Sequence, residues 1–161
     1  MVDIVRLSRV LSKILRHSAQ EDNIPITSDG WVEVNKLLQH INRRSNYTIE
    51  DVKKVVNEND KQRFSLRELT PGNLQIRANQ GHSMSGIQVD LTKITDSSNL
   101  LYAVHGTYYK AWKEISKKGI SRMNRNHIHL ARDLPGESGV ISGMRGSCEV
   151  LIWIDIKKAM D

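Results

Sequence analysis

The sequence predicts an α+β fold in two lobes, and three observations predict it. Apolar residues in the first third of the chain recur at helical spacing. Two alternating segments around a Pro-Gly turn then read as a hairpin. In the second half, apolar strands flank a single helix closed by a glycine, with no repeating strand-helix unit of the kind that builds a parallel sheet.

The elements follow in order. Residues 4–16, IVRLSRVLSKILR, place apolar side chains at Ile4, Val5, Leu7, Val10, Leu11, Ile14 and Leu15, one face of a helix. Asp3 stands where a cap belongs. In TSDGWVEV, Asp29-Gly30 is a turn signal ahead of a short strand, and NKLLQHI continues as a short helix. Thr48 with Asp51 resembles a capping box for the amphipathic segment IEDVKKVVNEND. KQRFSLREL, TPGN and LQIRAN read as strand, tight turn and strand. Three helices and a hairpin are the grammar of a winged helix, so residues 1–83 are assigned to an N-terminal winged-helix lobe. Such a unit binds nucleic acid in some proteins and only packs in others.

Residues 84–99, MSGIQVDLTKITDSSN, are rich in Ser, Thr and Asp and weakly periodic, and are predicted to link the lobes. Residues 100–161 form the second, β-rich lobe. There LLYAVHGT reads as an apolar strand ending in polar residues, and YYKAWKEISKKG as a helix closed by Gly119 with lysines in its last turn. HIHLA reads as a short strand, LPGESGVISGMRGS as a Gly-rich loop region, and CEVLIWIDI as a buried strand.

Composition narrows the function. Hydrophobic residues make up 39% of 161, with one Phe, so a core exists without being large. No apolar run approaches the ~18 residues of a membrane span, and the N-terminus has no apolar stretch of the signal-peptide kind. One cysteine, Cys148, cannot form an internal disulfide, which fits a reducing, intracellular setting, cytoplasm or nucleus. The net charge of +6 is shared evenly by residues 1–83 and 84–161. A modest basic balance permits a polyanion partner without requiring one.

Several polar residues stand out, each with an ordinary reading beside a chemical one. Arg16 and His17 end the first helix, where cations commonly cap the dipole. Arg77 sits in QIRANQ, where an edge-strand salt bridge is the ordinary role. Asn79, Gln80, Gly81, His82 and Ser83 follow it at once, an unusual density of groups that satisfy phosphate or ribose oxygens, with a glycine that admits close approach. His105-Gly106-Thr107 follows an apolar strand and opens a helix. Thr107 is there either an N-cap or part of a ligand pocket at a helix N-terminus. His127 and His129 share a strand face, but without a second Cys or an HExxH pattern they make no zinc site, and no metal is expected. Arg145, between glycines, is a loop arginine or a bidentate phosphate clamp. No Walker, GxGxxG or Ser-His-Asp pattern is present, so a Rossmann-type NAD site is unsupported. Trp31, Trp112 and Trp153 are read as core anchors.

Taken together, LSKILRH, DGWVEVNKLL, KQRFSL, IRANQGHS, VHGTYYKAWKEISKKGI, HIHLA and GVISGMR resemble the tRNA 2'-phosphotransferase family, in the family's order and over most of residues 8–155. The resemblance implies a winged-helix lobe that handles RNA and a C-terminal lobe of ADP-ribosyltransferase-like fold that holds NAD⁺ without a Rossmann motif. It implies NAD⁺-dependent removal of an internal RNA 2'-phosphate, typically at a spliced tRNA junction, by an enzyme acting as a monomer. Arg16, His17, Arg77 and Arg145 match its catalytic positions. His105, Gly106, Thr107 and His129 match its NAD⁺ site, with His82 and Ser83 implied at the adenylate or the phosphates. Family members continue past a DIKKAM-like segment with further strands, so an NAD⁺ lobe incomplete beyond Asp161 is the expectation. Two alternatives stand beside this reading: a non-catalytic RNA-binding module, and an ADP-ribosyltransferase acting on another phosphate or on protein. Arg16 and His17, outside the second lobe, favour the RNA phosphate.

Overall fold

The computed structural model describes residues 3–58, 62–89, 91–134 and 144–161. The chain divides into two compact units, Met1–Asp90 and Leu91–Asp161. Both mix helix and strand, so the chain is α+β.

In the first unit, helix α1 (Ile4–Lys13) begins at Asp3, whose carboxylate accepts from the Arg6 N–H at 2.9 Å. That answers one of the donors a first turn leaves open. The helix buries Leu7 and Leu11. Regular spacing predicts an α-helix through Arg16. Instead the path widens into a π turn over Ile14–Ser18, where the Ala19 N–H reaches back to the Ile14 carbonyl at 2.9 Å. Ile14, Leu15 and Ser18 stay buried through the turn. Strand β1 (Val32–Glu33) leads into α2 (Val34–Ile41). Helix α3 (Ile49–Asn57) opens on a reciprocal cap: Asp51 N–H donates to the Thr48 hydroxyl at 3.2 Å, and Thr48 N–H to the Asp51 carboxylate at 2.8 Å.

Strands β2 (Phe64–Glu68) and β3 (Leu74–Ala78) form the hairpin, and β1 adds to the other side of β3, giving the order β1-β3-β2, all antiparallel. The connecting turn closes by the Asn73 N–H on the Thr70 carbonyl at 2.8 Å, with Gly72 at φ +84, a geometry that glycine adopts without strain. Leu7, Leu11, Leu15, Leu37, Val52 and Ile76 lie at the centre of the core. Each such side chain contributes roughly 1.5–3 kcal/mol by leaving water. Met84 and Ile87 belong to the same core, and the Gln88 N–H donates to the Ser28 carbonyl at 2.8 Å. The packed chain therefore runs past residue 83, into a stretch whose polar composition reads as link.

The second unit pairs β4 (Tyr102–Thr107) antiparallel with β5 (Val150–Asp155). Helix α4 (Tyr109–Lys118) ends at Gly119, φ +82, and α5 (Ile156–Met160) starts on the Asp155 carboxylate, which accepts from Lys158 N–H at 3.1 Å. The small core holds Val104, Ala131 and Met144, with Leu134 and Cys148 against it.

Several readings change here. His105, Gly106 and Thr107 lie within β4 rather than after it, and Thr107 is buried in the strand. The residue before α4 is Tyr108. The first N–H of the helix, that of Tyr109, donates to the Glu149 carboxylate at 3.1 Å, so Glu149 takes the role that adjacency offers to Thr107. HIHLA makes only an isolated bridge, Ala131 with Val104. β5 is a strand but not a buried one: alternate residues face outward, leaving Leu151 41% and Trp153 55% exposed. Trp112 is exposed as well, so of the three tryptophans only Trp31 is buried. Most of the Gly-rich loop, residues 135–143, lies outside the described residues. Among the described residues no helix is long and apolar enough to cross a membrane.

Candidate functional site

In the first unit the fold gathers Arg16, His17, Arg77, His82 and Ser83. The π turn presents Arg16 and His17 at the end of the first helical path. π turns recur at functional sites because they re-aim side chains without ending the helix. The loop after β3 returns to this turn: the Ser83 N–H donates to the Arg16 carbonyl at 2.9 Å, and the Ser83 hydroxyl lies 2.8 Å from His17 Nδ1. Gly81, at φ +89, makes the return possible. A Cβ there would sit 3.5 Å from the Arg16 side chain, so bare backbone covers the guanidinium stem.

Arg77 arrives from β3. The hairpin register sets Gln75 opposite Arg67, so Arg67 and Arg77 are diagonal neighbours on the face away from buried Ile76. Val32 pairs with Ile76, and Trp31, one step before it, lies beneath both arginines. Their guanidinium carbons stand 4.2 Å (Arg67) and 4.8 Å (Arg77) from its ring centre, inside cation–π range. Arg67 is further held by Gln75, Nε to Oε1 2.9 Å, and by the Asp29 carboxylate at 3.8 Å. The Thr27 hydroxyl chiefly, with Arg67 and Arg77 assisting, holds the Asp29 carboxyl below its usual range. Arg77 makes only a long contact, 3.5 Å, to the Asp29 carbonyl. Its Nε is buried, and no described group accepts the proton. A buried guanidinium donor of this kind is chemically suited to an anionic acceptor.

His82 completes the cluster differently. It is 4% exposed. Burial, then the charges of Arg16, His17 and Arg77, push its pKa down to about 4. The ring is neutral at pH 7, so it adds no repulsion beside the two arginines. Asn79 does not join the cluster: its amide is spent on the hairpin, accepting from the Ser65 hydroxyl at 2.6 Å and donating to the Gln62 carbonyl at 2.7 Å.

The second unit holds the other candidates. A cavity of about 760 Å³ beside β4 and α4 is lined by His105, Thr107, Arg122, Arg125, His127 and His129, among others, within the size range of small-molecule sites. His105 Nδ1 lies 3.0 Å from the His129 carbonyl. A carbonyl only accepts, so Nδ1 carries the proton of this contact. Gly106 is explained by packing: a Cβ would collide with the Met144 side chain and stand 3.1 Å from Cys148 Sγ. Arg145 is exposed in this unit, beside Tyr108. The Ser147 hydroxyl, 3.0 Å away, and then the Arg145 guanidinium lower the Tyr108 phenol's pKa. Among the described residues no group of His, Cys, Asp and Glu could hold a metal ion.

Trp31, Arg67 and Tyr108 stand against the candidate residues, and sequence reasoning gives them no part there. The first two carry a usable signal: once TPGN fixes the hairpin register, Arg67 and Arg77 must share a face, with Trp31 on the neighbouring strand's approach.

Comparison with known proteins bears on both units. A sequence model of the RNA 2'-phosphotransferase, Tpt1 / KptA family matches residues 3–161. The chain is 50% identical over 159 residues to the tRNA 2'-phosphotransferase 1 of Danio rerio, covering 97% of this chain and 70% of that one. It is 45% identical over 153 residues to the tRNA 2'-phosphotransferase 1 of Homo sapiens, covering 94% of this chain and 60% of that one. It is 42% identical over 158 residues to the tRNA 2'-phosphotransferase of Saccharomyces cerevisiae, covering 94% and 68%. The chain thus spans between roughly three fifths and seven tenths of the length of these relatives.

Proposed function

Because the chain belongs to the RNA 2'-phosphotransferase, Tpt1 / KptA family, we propose that it removes an internal 2'-phosphate from RNA, such as that at a tRNA splice junction, with NAD⁺ as co-substrate. The observation that carries this reading is the convergence of Arg16, His17 and Arg77 on one place, with the Arg77 Nε–H buried and open to an acceptor. In this reading the first unit is a winged-helix lobe that holds the RNA and the second an ADP-ribosyltransferase-like lobe that holds NAD⁺. The three helices and hairpin of the one, and the cavity along β4 of the other, support the assignment.

The chemistry runs in two steps. An oxygen of the 2'-phosphate attacks C1″ of the nicotinamide ribose; the C–N bond breaks and nicotinamide leaves with the bonding pair, which neutralises its ring. The ribose 2″-OH then attacks phosphorus. The bond from phosphorus to the RNA 2'-oxygen breaks, and the proton lost by the 2″-OH ends on that oxygen. The products are 2'-OH RNA and ADP-ribose 1″,2″-cyclic phosphate. Negative charge stays on one phosphate throughout, so pre-placed cations are the expected catalysts. Arg16 and Arg77 bind the 2'-phosphate oxygens, Arg145 is the third guanidinium of the set, and His17, oriented by Ser83, donates a hydrogen bond or moves the proton. His105, Gly106, Thr107 and His129 border the nicotinamide riboside. Lys118, Arg122 and Arg125 along the same cavity suit a pyrophosphate, and His82 and Ser83 reach the adenylate or phosphates.

The test is single-turnover incubation with a short RNA bearing one internal 2'-phosphate, with and without NAD⁺ and without divalent metal. NAD⁺-dependent formation of 2'-OH RNA is expected. RNA binding with no release of nicotinamide would overturn the reading in favour of a bare RNA-binding module.

A further inference from the structure

The first unit carries a second cavity, of about 570 Å³, walled by five cations: Arg6, Arg9 and Lys13 from α1, and Arg43 and Arg44 from the turn after α2. On α1 the three recur at i, i+3 and i+7, one face of the helix, while Leu7 and Leu11 turn to the core. At ~1.5 Å of rise per residue they line up along about 10 Å of helix axis. Arg43 and Arg44 do not hang on a free loop. The Asn42 side chain clasps the turn behind them, donating to the Tyr47 carbonyl at 2.7 Å and accepting from the Tyr47 N–H at 2.8 Å.

The charges are unbalanced locally. Among the described residues none of the five side chains forms an ion pair, whereas Lys53, Lys54 and Lys118 each face a glutamate. One acid reaches the cavity, Asp22, and it is already engaged, accepting from the Ser18 hydroxyl at 2.7 Å and facing His40 at 3.8 Å. Five such cations held in one concavity repel each other and raise a local positive potential, which a linear polyanion relieves by neutralisation and counterion release. Ile14 and Ser18 of the π turn line the cavity, and the same turn carries Arg16 and His17.

We infer that this groove binds the phosphate backbone of the RNA flanking the 2'-phosphorylated nucleotide, as a contact surface separate from the Arg16, His17 and Arg77 cluster. The inference rests on RNA being the substrate. It makes binding depend on RNA length as well as on the reacting phosphate. The row of cations along α1 suits a chain of regularly spaced charges better than a single anion.

The experiment uses the full chain, unmodified and as Arg43→Gln/Arg44→Gln, with two RNAs carrying one internal 2'-phosphate: a minimal oligonucleotide, and the same core extended on both sides. Affinity is read by fluorescence anisotropy across a salt series, and turnover under single-turnover conditions. The variant is expected to bind the extended RNA about tenfold more weakly. Its salt slope should be smaller by about 1.4, at ~0.7 for each single-strand phosphate that the variant no longer neutralises. Its turnover of the minimal RNA is expected to be unchanged. Equal affinity and slope on the extended RNA would overturn the groove, as would equal losses on both RNAs. If the unmodified chain turns over neither RNA, the catalytic reading fails, and the anisotropy series still decides the groove.

Discussion

Acidification should weaken the first unit through His82, by an amount the structure sets. In the unfolded chain this imidazole titrates near its ordinary value of 6.5; in the fold its pKa is pushed down to about 4 by burial and by three neighbouring cations. Below 6.5 the unfolded chain binds a proton that the native ring refuses, so stability falls with pH through the window from 6.5 to 4 and is complete above it. At ~1.4 kcal/mol per pKa unit the loss reaches about 3 kcal/mol at the acid end. His82→Leu removes the proton site and keeps an uncharged side chain of similar bulk. The assay is urea unfolding at a series of pH values, in a Trp112→Phe/Trp153→Phe background so that buried Trp31 alone reports the first unit. The parent chain should lose about 3 kcal/mol more than its His82→Leu counterpart between pH 6.5 and 4. Parallel pH profiles would refute the reasoning, because they would mean that the folded ring takes its proton as readily as the unfolded one.

Other consequences follow from the same geometry. Arg16→Ala and Arg77→Ala should each lower single-turnover 2'-phosphate removal by about 10²–10³ while leaving NAD⁺ affinity unchanged, as expected of fixed cations at a reacting phosphate; unaltered rates would remove them from the site. Trp31→Leu withdraws the ring beneath Arg77, an interaction of ~0.5–2 kcal/mol, and should slow the same step about tenfold; because Trp31 is buried the thermal midpoint should fall as well, so the rate is compared at a temperature where both proteins are folded. Gly106→Ala places a methyl against Met144 and should cost roughly 1–3 kcal/mol of stability; adding Met144→Ala should return part of it, which thermal unfolding of the single and double variants will read.

Much of this fold is legible in the sequence because its punctuation is local. Asp3 and Thr48 with Asp51 cap helices through bonds spanning three residues, and Gly72 and Gly119 close turns by their own backbone freedom. Such chemistry is complete within a few residues and survives in the one-dimensional pattern. What escapes is chemistry between distant segments. Nothing in ILRHS marks a π turn, since a hydrogen bond shifted by one carbonyl leaves no compositional trace. Asn79 reads as available for a ligand because its partners, Ser65 and Gln62, lie across the hairpin. Thr107 reads as a cap because Glu149, which meets the helix start, is 40 residues away. CEVLIWIDI reads as buried because hydrophobicity reports what a strand prefers, not whether a second layer covers it. The cluster of Arg16, His17, Arg77 and Ser83 is legible only by resemblance to a family, and the place of Trp31 beneath Arg77 only once the hairpin register is known.

The clasp between Ser83 and the π turn joins residues 66 positions apart. Its geometry requires the helix, the whole hairpin and the returning loop to be in place at once. Contacts of such sequence separation form late, after the loop they close has been ordered, so this clasp should be among the last parts of the unit to assemble and among the first to open. The Ser83 amide, bonded to the Arg16 carbonyl, is then a built-in clock. Its hydrogen-exchange rate reads how often the clasp opens, and an anion bound as proposed at Arg16 and Arg77 should slow it before it slows the exchange of Leu7 or Leu11 in the helix beneath.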